Sequence, residues 1–285
     1  MKKFTFSPYP YNEIQLQERI SSYSVQPLRH FSENEAYRFL LNAIDLTTLE
    51  GSDNDEKISQ LCRKAIDYKS ESENIPMPAA VCIYPPFVSL AKKTVRDTGI
   101  RVASVAGGFP AGQTPIDLKV KEVAFAVEQG ADEIDMVISR GKFLEGRYEE
   151  VFDEIVLIRE ACGGKKLKVI LETGELQSIG NIYTASQLAI EAGADFLKTS
   201  TGKIAVNATP ESFTVMMDAI QDHYNKTHKM VGIKPAGGIA DTATAILFLK
   251  ILENVLGEKW LSNEFFRIGA SRLADKIHNK IIGRD

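Results

Sequence analysis

The chain has 285 residues and is 44% hydrophobic, which is enough for one large core, and no apolar run approaches the length of a transmembrane helix. Its 34 Lys and Arg against 38 Asp and Glu give a formal charge of -4, which offers no electrostatic case for a nucleic acid or membrane partner. Cys62, Cys82 and Cys162 form no C-x-x-C pair or metal-like cluster, and residues 1–8 are basic without a following apolar segment. A reduced, cytoplasmic protein without a signal peptide is therefore expected.

Eight short apolar segments along the chain predict β-strands. In chain order they are Ala43–Leu46, Ala79–Ile83, Val102–Val105, Glu133–Val137, Leu167–Leu171, Phe196–Lys198, Val231–Lys234 and Phe266–Gly269.

The segments between these strands carry the residues that begin helices. Capping boxes are predicted for Ser32 with Glu35 and for Asp53 with Glu56, and Thr209 followed by Pro210 predicts an N-cap with proline in the first turn.

Eight strands in alternation with helices indicate a parallel α/β fold, and eight units favour closure into a (β/α)8 TIM barrel. An open doubly wound sheet is the rival architecture, but no G-x-G-x-x-G follows the first strand. Residues 1–31 precede the alternation and are predicted to be an N-terminal arm at the surface or at a subunit contact. Residues 32–285 are predicted to be one barrel domain.

Charged residues at the carboxyl ends of the predicted strands mark the expected site, because these ends face the active site of a barrel. Asp45, Asp135, Glu172, Lys198 and Lys234 all fall at or near such ends. Each alone could be a structural ion pair at the rim of the barrel. As a set in apolar strands, they favour function, because an unpaired buried charge costs several kcal/mol.

Lys198 closes a short apolar strand and is followed by a hydroxyl cluster, a glycine and Lys203. An amine in this position can form a Schiff base with a carbonyl substrate. A free lysine has a pKa of about 10.4, and a second cation together with desolvation lowers such a value. Lys234, at the end of the next strand, is a candidate for that cation.

The loops after the sixth, seventh and eighth strands have the composition of a phosphate site. Glycines let the backbone approach an anion, and barrel enzymes often bind phosphate on the last loops and at a helix N-terminus. The candidate residues are Thr201, Gly202, Lys203, Gly237, Gly238, Gly269, Ser271 and Arg272.

These motifs together resemble those of the deoxyribose-phosphate aldolases, a family of class I aldolases, over about residues 40–275. The resemblance is carried by the segments Asp45–Leu49, Val81–Pro85, Gly108–Pro110, Ala131–Asp135, Glu172–Leu176, Lys198–Lys203, Lys234–Gly238 and Arg267–Ser271.

The resemblance implies a TIM barrel that reversibly cleaves 2-deoxy-D-ribose 5-phosphate to acetaldehyde and glyceraldehyde 3-phosphate, without a cofactor or a metal. It assigns the Schiff base to Lys198, and Lys234 would favour the neutral form of that amine. Asp135 would transfer protons with a water, and Asp45 would hold Lys234. The expected partner is a small phosphorylated sugar, and a homo-oligomer is possible.

Two positions depart from the pattern of the family. Ala240 stands where an arginine often follows the glycines of the seventh strand, and Arg272 stands where a second serine often follows the eighth strand. The phosphate cation is therefore expected to have moved to Arg272.

Two other functions fit part of the same pattern. Another Schiff-base aldolase or dehydratase would use the same lysine pair, and a non-catalytic phosphosugar-binding barrel would keep the phosphate loops. The carboxylate and lysine set argues against the second, because binding alone needs no activated amine. A zinc-dependent aldolase is disfavoured, since His30, His223, His228 and His278 are scattered and lie at no predicted strand end.

Overall fold

A computed structural model of the chain describes residues 6–70 and 74–284. Residues 1–5, on which the expectation of no signal peptide partly rests, lie outside the described residues. The strands are β1 Ile44–Thr47, β2 Ala80–Ile83, β3 Arg101–Ala106, β4 Glu133–Val137, β5 Lys166–Ile170, β6 Phe196–Lys198, β7 Gly232–Lys234 and β8 Ile268–Ala270.

The helices pack around these strands. They are α1 Glu13–Ser24, α2 Glu33–Asn42, α3 Asp55–Asp67, α4 Val88–Thr94, α5 Ile116–Glu128, α6 Arg140–Leu144, α7 Tyr148–Ala161, α8 Ile179–Glu191, α9 Pro210–Thr227, α10 Thr242–Val255 and α11 Leu273–Ile281.

The eight strands form one parallel sheet in the order β7-β6-β5-β4-β3-β2-β1-β8. Isolated bridges between Ile233 and Phe266 and between Ala236 and Gly269 join β7 to β8. The sheet therefore closes on itself, and the prediction of a (β/α)8 barrel is confirmed.

Period-two alternation along the strands divides the buried residues into two sets. Branched residues such as Ile134 and Val169 point outward and pack with the helices in the main core. Ala80, Cys82 and Val105 belong to a smaller apolar cluster formed by β2, β3 and the loop after β1.

Residues before the first strand pack against the barrel through α1. Leu16 and Ile20 are buried in the main core, and Arg19 donates to both carboxylate oxygens of Asp218 at 2.7 and 2.9 Å. Farther along, Glu253 accepts the backbone N–H of Arg29 at 3.1 Å. The sequence analysis did not predict a helix here, and the domain boundary after residue 31 stays a prediction.

Two of the three predicted helix starts are confirmed. Ser32 forms the capping box of α2, and Thr209 caps α9 with Pro210 in its first turn. The box predicted for Asp53 is wrong, because Asn54 is the N-cap of α3 and accepts from the backbone of Lys57 at 3.0 Å.

Asp53 stabilises the loop after β1. Its carboxylate accepts the Thr48 hydroxyl at 2.9 Å and the Glu50 backbone N–H at 3.0 Å, and Lys57 pairs with it at 2.5 Å. A carboxylate at this position thus fixes one wall of the barrel mouth.

Candidate active site

Lys198 and Lys234 bind the same carboxylate oxygen inside the barrel. Their Nζ atoms lie 2.8 and 2.7 Å from Oδ2 of Asp135, and the two lysines are register partners on β6 and β7. Lys234 also pairs with Asp45 at 2.5 Å. The structure therefore brings together the four residues that the sequence predicts to be catalytic.

Three further charged residues extend this group below the lysine pair. Lys168 on β5 lies 2.7 Å from Asp135 Oδ1 and 2.5 Å from Glu133. Arg267, just before β8, pairs with Glu133 at 2.7 Å and with Asp45 at 2.6 Å. We call these seven side chains the charge cluster: Asp45, Glu133, Asp135, Lys168, Lys198, Lys234 and Arg267.

Every member of the charge cluster is buried, so the ion pairs decide its protonation. Burial alone would raise the pKa of Asp135, but the charges of Lys168, Lys198 and Lys234 hold it well below its usual range. Burial likewise opposes the charge on Lys234, and Asp135 and Asp45 outweigh it and raise the pKa of that lysine. Asp135 and Asp45 therefore stabilise Lys234 as a cation beside Lys198.

A cavity of about 460 Å³ opens above the charge cluster at the carboxyl ends of the strands. Lys198 is the member of the cluster that lines it, whereas Lys234 lies beneath and is fully buried. A carbonyl compound in the cavity can thus reach the Lys198 amine and not that of Lys234.

All the residues that the sequence predicts to bind phosphate line this same cavity. They are Thr201, Gly202, Lys203, Gly237, Gly238, Gly269, Ser271 and Arg272. The first turn of α11 begins directly after Arg272 and has no side-chain cap, so its backbone N–H groups are open to an anion.

The cations around the cavity differ in their pairing. Lys203 Nζ lies 2.9 Å from Glu50 of the loop after β1, which also lines the cavity. Arg272 makes no side-chain hydrogen bond or ion pair with the part of the chain that the structure describes. Ala240 lines the cavity as well, so Ala240 and Arg272, the two positions that depart from the family pattern, border the same cavity.

Gly269 leaves room for Ala236 and for the stem of Lys234, which both pass close to its Cα atom. A Cβ atom there would come within 3.2 Å of Lys234 Cε and 2.8 Å of the Ala236 side chain. This residue serves the position of the buried lysine as well as the wall of the cavity.

Glu172 lies apart from the lysines, although it follows β5 as the sequence analysis expected. Its carboxylate accepts the backbone N–H of Thr201 at 3.0 Å and the hydroxyl of Thr201 at 2.6 Å. It therefore contacts the loop after β6 and is not part of the charge cluster.

The sequence analysis missed Lys168, Glu133 and Arg267 as members of the site. Each is a charge within an otherwise apolar strand segment, which is the signal that identified Asp45 and Asp135. Their positions farther from the strand ends concealed them, because the search was confined to the mouth of the barrel.

Within residues 6–70 and 74–284, no three His, Cys, Asp or Glu side chains come together in a way that could hold a metal ion. The same part of the chain contains no helix that is long and apolar enough to cross a membrane.

A parallel barrel whose interior lysine opens into a cavity with glycine-rich loops has the architecture of the lysine-dependent aldolases. Comparison with known families agrees: residues 39–258 match the family described as DeoC/LacD family aldolase. The chain belongs to this family.

Individual relatives give the same result. The chain is 46% identical over 249 residues to the deoxyribose-phosphate aldolase of Homo sapiens, covering 84% of this chain and 78% of that protein. It is 44% identical over 271 residues to the Mus musculus deoxyribose-phosphate aldolase, covering 90% and 85%.

Solved structures share the fold. A Toxoplasma gondii protein superposes with a TM-score of 0.78 at 26% identity, covering 89% of this chain and 96% of that one. The deoxyribose-phosphate aldolase of Aeropyrum pernix, described as a tetramer, superposes with a TM-score of 0.69 at 24% identity, covering 93% and 97%.

Proposed function

We propose that this chain cleaves 2-deoxy-D-ribose 5-phosphate reversibly to acetaldehyde and D-glyceraldehyde 3-phosphate through a Schiff base on Lys198. The observation that carries the proposal is that Lys198 is the one member of the charge cluster that lines the cavity, whose wall also includes the glycine-rich loops after β6, β7 and β8. The human and mouse relatives are named deoxyribose-phosphate aldolase, which supports the choice of substrate.

The charge cluster carries one more cation than it has carboxylates. It contains four cations, Lys168, Lys198, Lys234 and Arg267, against the three carboxylates of Asp45, Glu133 and Asp135. Because buried charge is costly unless it is paired, loss of one proton brings the cluster to balance. Lys198 is the member that can release it, since it borders the cavity and holds a single carboxylate.

The neutral amine then attacks the aldehyde carbon of the open-chain sugar, and loss of water from the carbinolamine gives a protonated imine. The electron pair of the bond between C2 and C3 moves into the imine as the C3 hydroxyl loses its proton. Glyceraldehyde 3-phosphate leaves, and the enamine takes a proton at C2. Hydrolysis releases acetaldehyde and restores the Lys198 amine.

Asp135 is the proposed proton carrier for these steps, acting through a water in the cavity. Its Oδ2 atom accepts hydrogen bonds from both lysines, so it fixes the Lys198 amine and lies within hydrogen-bond distance of the nitrogen that gains and loses protons. Asp45 and Lys234 act from below by fixing the charge and the position of Asp135.

The phosphate group lies, in this proposal, against the loops after β6, β7 and β8. Gly202, Gly237 and Gly238 line the cavity together with Lys203 and Arg272, and α11 begins directly after Arg272, so backbone N–H groups and two cations are available to an anion there. Arg272 takes the place of the cation that is missing at Ala240.

The tetramer described for the Aeropyrum pernix enzyme supports a homo-oligomer for this chain as well. Action on a small phosphorylated metabolite fits the predicted cytoplasmic location.

Borohydride reduction in the presence of acetaldehyde tests the proposal. We expect the label on a peptide that contains Lys198, and Lys198→Leu to be neither labelled nor active at any pH. A label on Lys203 or Lys234 would contradict the assignment. An assay of deoxyribose 5-phosphate consumption separates this function from another Schiff-base aldolase, and binding without labelling would indicate a phosphosugar-binding barrel.

A further inference from the structure

The turn after β5 packs directly against the loop after β6. The turn is Glu172–Glu175, and the facing loop, residues 199–207, carries three of the residues that line the cavity. The backbone N–H of Thr173 donates to Thr199 at 2.9 Å, so the pairing of β5 with β6 continues past the ends of both strands.

Glu172 is the most unusual residue of this turn. It is fully buried, and its backbone has φ 57° and ψ 57°, a left-handed conformation that a glutamate rarely adopts. Such an outlier persists only where the surroundings hold it, and it is often found at functional sites.

The Glu172 carboxylate holds the start of the loop through two hydrogen bonds. Oε1 accepts the Thr201 N–H at 3.0 Å, and Oε2 accepts the Thr201 hydroxyl at 2.6 Å. The Thr201 hydroxyl in turn accepts the backbone N–H of Lys203 at 3.1 Å. One carboxylate thus fixes the path of the chain from Thr201 across Gly202 to Lys203.

The same turn also meets the far end of the loop. A Cβ atom at Gly174 would collide with the backbone carbonyl of Val206, so the two backbones are in direct contact. Asn207 then packs on Gly237 of the loop after β7, where a Cβ would come within 2.7 Å of its side chain. Contacts therefore run from the β5 turn through the β6 loop to the β7 loop.

Arg140 compensates part of the charge on Glu172. Its guanidinium lies 3.4 Å from Glu172 Oε2, and it binds Glu175 at 2.6 Å and the Pro110 carbonyl at 3.0 Å. Burial raises the pKa of Glu172, and the hydrogen bonds from Thr201 oppose that shift.

We propose that Glu172 is a positioning residue for phosphate binding, which sets the conformation of Thr201–Lys203 without touching the substrate. This inference rests on the proposed function for the identity of the ligand and adds a residue that acts through another. In this proposal Glu172 affects how tightly the phosphate group binds and does not affect the reaction at Lys198.

The test compares Glu172→Gln with Glu175→Gln. Both remove a charge beside Arg140, but only Glu172 contacts the β6 loop. Glu172→Gln is expected to weaken binding of inorganic phosphate by about tenfold or more in calorimetry, and to raise the KM for deoxyribose 5-phosphate equally. The KM for unphosphorylated deoxyribose and the labelling of Lys198 stay near wild type. Glu175→Gln keeps all four values.

Thr201→Val supplies a second variant in case Glu172→Gln folds poorly. It removes the hydroxyl that Glu172 accepts, so it should produce the same split between the two substrates. In the double variant the loss should be smaller than the two single losses combined, because both changes break one contact.

An unchanged phosphate affinity in Glu172→Gln, or equal losses for both substrates, overturns the inference. Failure of the proposed function would look different: the wild-type protein would neither consume deoxyribose 5-phosphate nor become labelled at Lys198. Inorganic phosphate binding would still report on Glu172 in that case.

Discussion

Lys198 and Lys234 lie side by side as register partners on adjacent strands, and their amines share one oxygen of Asp135. Only one of the two reaches the cavity. In the proposed function, this arrangement assigns the reaction to Lys198 and a fixed positive charge to Lys234, and it leads to specific expectations for variants.

Replacing Lys234 with leucine should move the rising limb of the pH-rate profile to higher pH. Without Lys234 the charge cluster holds three cations and three carboxylates when Lys198 is protonated, so balance now favours the protonated amine. Activity at pH 7 should fall about tenfold or more, since each pKa unit is a factor of ten, and part of it should return at alkaline pH.

Lys203→Leu is the control for this experiment, because it removes a cation that lines the cavity but lies outside the cluster. The KM of Lys203→Leu for deoxyribose 5-phosphate should rise, whereas the rising limb of its pH-rate profile should stay at the wild-type pH. If Lys234→Leu lowers thermal stability but keeps the wild-type profile, Lys234 is only a structural partner of Asp45.

Arg272→Ala should raise the KM for deoxyribose 5-phosphate and leave turnover of unphosphorylated deoxyribose nearly unchanged. A charged hydrogen bond to phosphate contributes about 1.5 to 3 kcal/mol, which is roughly one to two decades in affinity. Adding Ala240→Arg to this variant should restore the KM, because both positions border the cavity. Equal effects on both substrates would indicate a structural arginine.

Glu133→Gln should destabilise the protein strongly, although Glu133 does not line the cavity. The change breaks the buried pairs of Glu133 with Lys168 and Arg267 and leaves the charge cluster with a larger excess of positive charge, which costs up to about 3–5 kcal/mol. Lys168 keeps Asp135 and Arg267 keeps Asp45 as buried partners. Urea unfolding measures the loss. Glu145→Gln is the matched control, since its pair with Arg147 is exposed to solvent and contributes little to stability. Similar losses in the two variants would mean that the charge cluster adds little to stability.

The charge cluster should also make the protein sensitive to acid. Paired cations lower the pKa of Asp45, Glu133 and Asp135 in the folded state, so the unfolded chain binds more protons at low pH. The stabilisation is complete above the unfolded values of about 4 and is lost as the pH falls through the lower folded values. The free energy of unfolding between pH 6 and about pH 3 should drop less steeply in Glu133→Gln than in wild type. A parallel slope would show that Glu133 does not ionise differently on folding.

The strand pattern could be predicted from sequence because a barrel strand has a strong local signature. Short apolar segments such as Phe196–Lys198 end at a charge, and all eight appear in the structure within one or two residues. The candidate residues Asp45, Asp135, Lys198 and Lys234 followed from one rule, that strand ends face the site, and the structure brings them together. Helix α1 had no such signature, because only Leu16 and Ile20 of its residues are buried.

The partners of each charged residue could not be predicted, because they depend on distances between strands far apart in sequence. Nothing local indicates that Arg267 pairs with Glu133, 134 residues away. Similarly, Glu172 fits the expected strand end, but its left-handed backbone turns the side chain toward Thr201 instead of toward Lys198.

The separation of charges into a buried cluster and an open cavity wall has a consequence for ionic strength. Mobile ions screen exposed charges over about 8–10 Å at 0.1–0.15 M salt, but they screen buried ion pairs much less. Added salt should therefore compete with the phosphate at Lys203 and Arg272 and leave the balance around Lys198 intact. Substrate binding should therefore depend on salt concentration, whereas the rate of carbon-carbon bond cleavage should not. The affinity for the substrate can then vary with ionic strength while the rate of the chemical step stays constant.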